Sequence, residues 1–227
     1  MSNIRRKLIM QQEENLLPPE YTAVNYIESF HGQYQYLDID YIPDIISEEY
    51  ETTISGAWVQ NTPGYPNDKN EYVFGCGELW SFVHIGMTIW PSGYAVRIRK
   101  TSTGNMDAVI NIPTNTNNIY THKISSDGYK IFDTTTSQLL GSATYSSPVY
   151  TGYYDQSLYV FAWHTRIGNH TVMKLYNFVI RNKTTKQELC HLVPCVRKSD
   201  NKPGVYDTVR NRFFVNMNNN GYDFSYN

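Results

Sequence analysis

The sequence is short of charge, and the charge it has nearly cancels. Lys, Arg, Asp and Glu make up 18% of 227 residues and leave a net charge of -2. That balance excludes the broad basic surface that grips nucleic acid or an anionic membrane. No apolar run approaches the ~18 residues needed to span a bilayer, so membrane insertion is not expected. Charges open the N-terminus with no apolar core behind them, so no signal peptide is read and the chain is expected to be made in a cytoplasm. Cysteine is scarce as well: Cys76, Cys190 and Cys195 are an odd set without metal spacing. A Cys190–Cys195 disulfide is compatible with the spacing, and reduced core thiols are the expectation.

The signatures of catalysis are also missing. There is no Gly-x-Ser-x-Gly and no Glu-x-Asp-x-Glu. Retaining glycosidases need two carboxyls about 5–5.5 Å apart. Asp38 and Asp40 share a strand face by alternation, but no third acid follows in step. Glu48, Glu49 and Glu51 read as a solvated strand entrance. His31, His84, His122, His164, His170 and His191 never stand at His-x-His or at i, i+4 on a plausible helix, so no zinc site is indicated. No Asp-x-Asp-x-Asp ladder marks calcium. The expectation is a chain without catalytic residues, metal or cofactor.

Aromatic residues are what the sequence has in abundance, at 15%, with 20 Tyr against 9 Phe. Such a ratio suits many half-buried rings whose hydroxyl ends stay wet. About a dozen short runs of β-forming residues, divided by Gly, Pro, Asn and Asp, predict one all-β antiparallel sandwich over residues 21–227. Ala23–Glu28 and Gln33–Asp40 read as a hairpin about His31-Gly32. Gly56 reads as a bulge, and Asp127-Gly128 as a hairpin turn. Leu158–Trp163, apolar on both faces, reads as a buried strand. Leu192-Val193-Pro194 is placed at a strand end, because proline lacks the ladder donor. Trp58, Trp80, Trp90 and Trp163 fall inside strands and are expected to pack.

Two kinds of contact residue stand out. Residues 1–20 differ in kind from the rest: Ile4, Leu8 and Ile9 fall near helical spacing with Arg5, Arg6 and Lys7 between them, and Pro18-Pro19 ends the pattern. This segment reads either as a frayed terminus or as a short helical or extended arm that docks on a partner. Two loops combine tyrosine with polar groups that can bond sugar hydroxyls: Tyr65 with Asn61, Asn67 and Asp68, and Tyr150, Tyr153 and Tyr154 with Asp155. Capping of the sandwich ends, glycan contact and protein contact are all compatible with them.

Islands along the chain carry a family resemblance. Tyr26-Ile27-Glu28-Ser29 with Gly32-Gln33-Tyr34 opens it, and Asp127-Gly128 stands in its middle. Lys174–Ile180, Leu192-Val193-Pro194, Pro203–Asp207 and Phe213–Asn216 close it. In this order they resemble the concanavalin A-like, laminin-G-like jelly-roll modules of gut bacteriophage and prophage virion proteins, departing at Phe30-His31 and Leu37–Asp40. The resemblance implies a jelly roll displayed on a virion as a head or tail fibre or capsid decoration. It further implies a docking arm, other virion proteins as partners, host-surface glycans as candidate ligands and self-association into a homo-oligomer. A free carbohydrate-binding lectin is the alternative, and a glycoside hydrolase a distant third.

Overall fold

Period-two alternation becomes strands throughout, and the described residues contain no helix. The computed structural model describes residues 16–30, 35–44, 46–58, 71–76, 84–90, 93–101, 104–114, 117–145, 156–162, 172–218 and 221–227. The strands begin with β1 (Tyr21–Ala23), β2 (Ile27–Glu28), β3 (Leu37–Asp38), β4 (Glu48–Trp58), β5 (Glu71–Cys76) and β6 (His84–Trp90). β7 (Gly93–Thr101), β8 (Gly104–Ile110), β9 (Ile119–Ser125), β10 (Gly128–Asp133), β11 (Leu139–Ala143) and β12 (Tyr159–Val160) follow. β13 (Val172–Asn182), β14 (Glu188–Arg197), β15 (Lys202–Asp207), β16 (Arg212–Val215) and β17 (Ser225–Tyr226) complete the chain.

Two antiparallel sheets form a jelly-roll sandwich. The larger runs β11-β10-β9-β4-β13-β14-β15-β16, with β1 on β14 and β2 between β13 and β17. The smaller runs β3-β12-β5-β6-β7-β8. Residues in step on each strand face the gap: Tyr50 and Ile54 on β4, Tyr120 and Ile124 on β9, Tyr129 and Ile131 on β10, against Phe74, Met87, Ile89 and Val96. Phe74 stacks on Tyr50 at 6.2 Å between centroids and meets Phe178 edge-on at 5.3 Å. Each fully buried ring of this kind contributes about 2–3 kcal/mol.

The Gly56 bulge is present, with φ +66 where the β4–β13 register slips. The β9–β10 hairpin turns on Ser126-Asp127, with Gly128 opposite Ser125. Three expectations are corrected. Pro194 lies well inside β14, opposite Val205. On its other flank the neighbour changes from β13, paired as far as Leu192, to β1, which starts at Cys195. The missing N–H falls in that gap, while the Pro194 carbonyl accepts the Val24 amide at 3.0 Å. Among the described residues of the Leu158–Trp163 run, 158–162, ladder pairing is confined to Tyr159-Val160, because Phe161 turns to φ +68 and ends the ladder. The segments that flank His31-Gly32 form no hairpin, since β2 joins the large sheet and β3 the small one. Cys190 and Cys195 hold free buried thiols, as expected, and an odd spacing along one strand puts them on opposite faces.

The sandwich has two distinct ends. Arg197, Lys202 and Tyr21 meet at one, beside the turn formed by residues 198–201. The β13–β14 turn and Ser126-Asp127 mark the other, where Lys183 reaches Asp127 at 2.6 Å. The first is termed the arm end, since residues 16–20 join the sandwich there, and the second the far end.

Candidate functional site

Every contact residue singled out in the sequence lies outside the described residues: Tyr65, Asn67, Asp68, Tyr150, Tyr153, Tyr154, Asp155 and the arm positions Ile4, Arg5, Arg6, Lys7, Leu8 and Ile9. What flanks them is nevertheless informative. Residues 59–70 connect the end of β4 to the start of β5, both at the arm end. Residues 146–155 connect Tyr145 to Gln156, both at the far end. The described residues that flank the two tyrosine segments therefore lie at opposite ends of the sandwich.

At the arm end a hollow of about 250 Å3 is lined by Lys202, Asn216, Asn218, Gly221, Tyr222 and Asp223. Two buried amides fix its walls. Asn216 Oδ1 accepts the backbone amides of Tyr36 at 3.2 Å and Asn218 at 3.0 Å, while its Nδ2 donates to the Tyr222 carbonyl at 2.6 Å. Gln35, fully buried, accepts the Phe30 amide at 2.7 Å and donates to the Asp223 carbonyl. Gly221 at φ +85 supplies the left-handed turn between them. Lys202 pairs with Asp223 at 2.7 Å, and the Tyr222 ring is 56% exposed. An aromatic face beside a fixed donor–acceptor pair can stack a sugar ring or seat a tyrosine-rich protein patch. Alternation could not reveal this hollow, since most of its lining lies in irregular chain after β16 and it is braced by Gln35, 188 positions before Asp223.

The acids weighed for catalysis each hold the fold together. Asp40 departs from the strand with φ +46, so it does not share a face with Asp38, and it pairs with Arg212. Asp38 accepts from the Ser157 hydroxyl and from the Asp40 amide at 3.0 Å. Glu48 is no solvated rim residue: in step with Tyr50 and Ile54, it turns inward and is 4% exposed. It accepts the Tyr41 and Tyr50 hydroxyls and, at 2.9 Å, the Asp44 amide. Burial raises its carboxyl above the ordinary value despite these bonds, which pull the other way. Glu51 does face out, in a chain of charges that crosses four strands. Lys123 reaches it at 3.0 Å, Arg181 bridges it at 3.6 Å to Glu188 at 3.0 Å, and His191 closes on Glu188 at 3.1 Å.

Two further polar centres escaped the sequence reading. Asp207 is fully buried and takes the Arg210 side chain and the backbone amides of His191, Val209 and Arg210. Burial alone would raise its carboxyl, but Arg210 and the His191 amide outweigh it and hold it low. Arg210 also donates to the Ile39 and Asp40 carbonyls, each at 2.8 Å, clamping the β15–β16 turn to the small sheet. His122 sits inside the sandwich with Nδ1 2.7 Å from the Tyr129 hydroxyl. Burial pushes its pKa down to about 3, so it stays neutral. Among the described residues, no group of three His, Cys, Asp or Glu could hold a metal ion.

What defines the class is the strand order of the chain itself: an antiparallel jelly-roll sandwich of two sheets. No family model matches the chain, and no curated protein matches it. Among solved structures it is similar to domains LG4-5 of the mouse laminin alpha1 chain, at 10% identity and TM-score 0.49, over 78% of this chain and 49% of that one. It is also similar to the native heptameric SAP-like pentraxin of Limulus polyphemus, at 11% identity and TM-score 0.42, over 73% and 78%. A third similar structure is the full-length tailspike protein 2 of an Escherichia coli O157:H7 bacteriophage, at 11% and 0.41, over 73% and 26%. The chain spans about half the length of the laminin chain it matches.

Proposed function

We propose that this chain is a non-enzymatic structural component of a tailed-phage virion, a head or tail fibre or a decoration protein. Its N-terminal arm docks on another virion protein, and its lectin-like sandwich makes contacts with the host surface or with sister copies. The observation that carries this reading is the way the chain joins the sandwich. The Lys198 ammonium donates to the Pro19 carbonyl at 2.6 Å and the Lys198 amide to the Glu20 carbonyl at 2.9 Å. Tyr21 packs on Tyr206 and Phe213 at 4.8 and 4.9 Å. A docked arm is thereby tied to one end of a rigid body, and the opposite end is left to make contacts. The motif islands named above support the phage assignment, and those at residues 26–29, 174–180, 192–194, 203–207 and 213–216 gather on β2, β13, β14, β15 and β16 in the large sheet, while Asp127-Gly128 stands at the β9–β10 turn.

A free carbohydrate-binding lectin is the second reading, favoured by the open hollow beside Tyr222. One experiment separates the two. Deleting residues 1–15 is expected to abolish incorporation into particles while circular dichroism and thermal unfolding stay as in the full chain. A truncated chain that still enters particles overturns the docking arm. A truncated chain that binds a glycan panel as the full chain does, with the full chain absent from particles, establishes the lectin.

A further inference from the structure

Among the described residues, β11 and β16 end the main strand order of the large sheet, with β1 and β17 off that path, and β3 and β8 end the small one. Three of these edges carry a charge in their sequence: Arg212 on β16, Asp38 on β3 and Asp107 on β8. A charge on an edge strand is a common device against pairing with another chain. β11 reads Leu-Leu-Gly-Ser-Ala and has none, and no charged residue occurs from Thr134 to Tyr145. Its register on β10 slips between Ile131 and Phe132, leaving Leu140 as the extra residue of a bulge. The bulge turns both Leu139 and Leu140 outward, 49% and 37% exposed. Gly141 faces inward instead: a side chain there would meet Ile110 Cγ2 at 2.5 Å.

An antiparallel pair of identical strands lays the first half of one over the second half of the other. For β11 that sets Leu139 and Leu140 against the small residues Ser142–Thr144 of the mate, large over small, with no like charges opposed.

We propose that β11 is a self-pairing edge whose occupant is a second copy of this chain, joined antiparallel about a two-fold axis near Gly141 and Ser142. This deepens the homo-oligomer part of the reading above and needs neither the arm nor a glycan. Five residues make a weak pair in dilute solution. Copies held side by side on a particle gain from high local concentration, which makes the same pair effective.

Sedimentation equilibrium of the full chain at about 100 μM is expected to show a dimer that dissociates on dilution. The variant carrying Leu139→Lys and Leu140→Lys is expected to be monomeric at that concentration and to melt with the wild type, since both leucines are already half exposed. Because the native thiols are buried, Ser142→Cys supplies an accessible thiol near the axis. A short bis-maleimide should link it to its own copy, and should fail to do so in the double-lysine background. A wild-type monomer at about 100 μM, a double-lysine variant as associated as the wild type, or a dimer in which Cys at 142 does not link would each overturn the proposal. Uptake into particles by the arm is untouched by these variants, so failure here leaves the docking arm standing.

Discussion

His122 is a base that folding prevents from taking a proton. Its ordinary value is 6.5 and burial brings it to about 3. Tyr129, also buried, has its hydroxyl pushed far above the ordinary range, so it keeps its proton and shares a hydrogen bond with Nδ1 whose direction follows the imidazole tautomer. Below pH 6.5 the unfolded chain binds a proton that the folded chain refuses, and stability falls with pH. Between pH 6.5 and 5 the loss is about 2 kcal/mol. Asp207 acts in the same sense only at lower pH, as its depressed carboxyl loses its stabilising charge below the ordinary 3.8. Glu48, raised by burial, acts in the opposite sense, since its ionised form is the costly one. Urea unfolding of His122→Asn, which keeps a polar group beside the Tyr129 hydroxyl, is therefore expected to be flat or slightly rising as pH falls through this window. A wild-type slope retained in the variant would mean that His122 is not the group titrating.

Strands show why one glycine in the closing motif has no substitute. Gly204 sits on β15 where a Cβ would stand 2.1 Å from the Phe214 carbonyl oxygen and 3.0 Å from the Phe213 ring. Backbone cannot yield as a flexible side chain can, so Gly204→Ala should cost about 3 kcal/mol or more, seen as a lower urea midpoint at unchanged m. A midpoint within experimental error of wild type would show that β15 and β16 separate freely. Alternation made such strands legible, and Gly56 and Ser126-Asp127-Gly128 announced their irregularities through conformations few other residues adopt. Pro194 was misread because its rule assumes one neighbour per flank, while β14 changes neighbour at that residue. Phe161 was misread because nothing in an apolar run signals a left-handed turn. The Glu48 error was avoidable: counting back from Ile54 and Tyr50 already places it on the inner face.

The whole molecule has a polarity that no single strand reveals. Residues 16–20 join it at the arm end, and the hollow lined by Lys202, Asn216 and Tyr222 lies there too. Phe30, Met217 and Tyr222, all largely exposed, lie at that end, tied together through Gln35, Tyr36 and Asp223. An arm docked on a partner brings this apolar cluster and the Tyr222 hollow toward the same partner. Burial of such rings would then add to whatever the arm contributes. The far end, with Thr184 exposed in the β13–β14 turn, would face outward. Chemical labelling can read this directly, because the native thiols are buried. On free protein, Met217→Cys and Thr184→Cys should react with a maleimide at similar rates. On assembled particles, Thr184→Cys should keep its rate and Met217→Cys should slow by about tenfold or more, as expected for a site that opens only when the contact does. Equal labelling of both positions on particles would mean that the arm acts as a free tether and that neither end of the sandwich is committed to the particle.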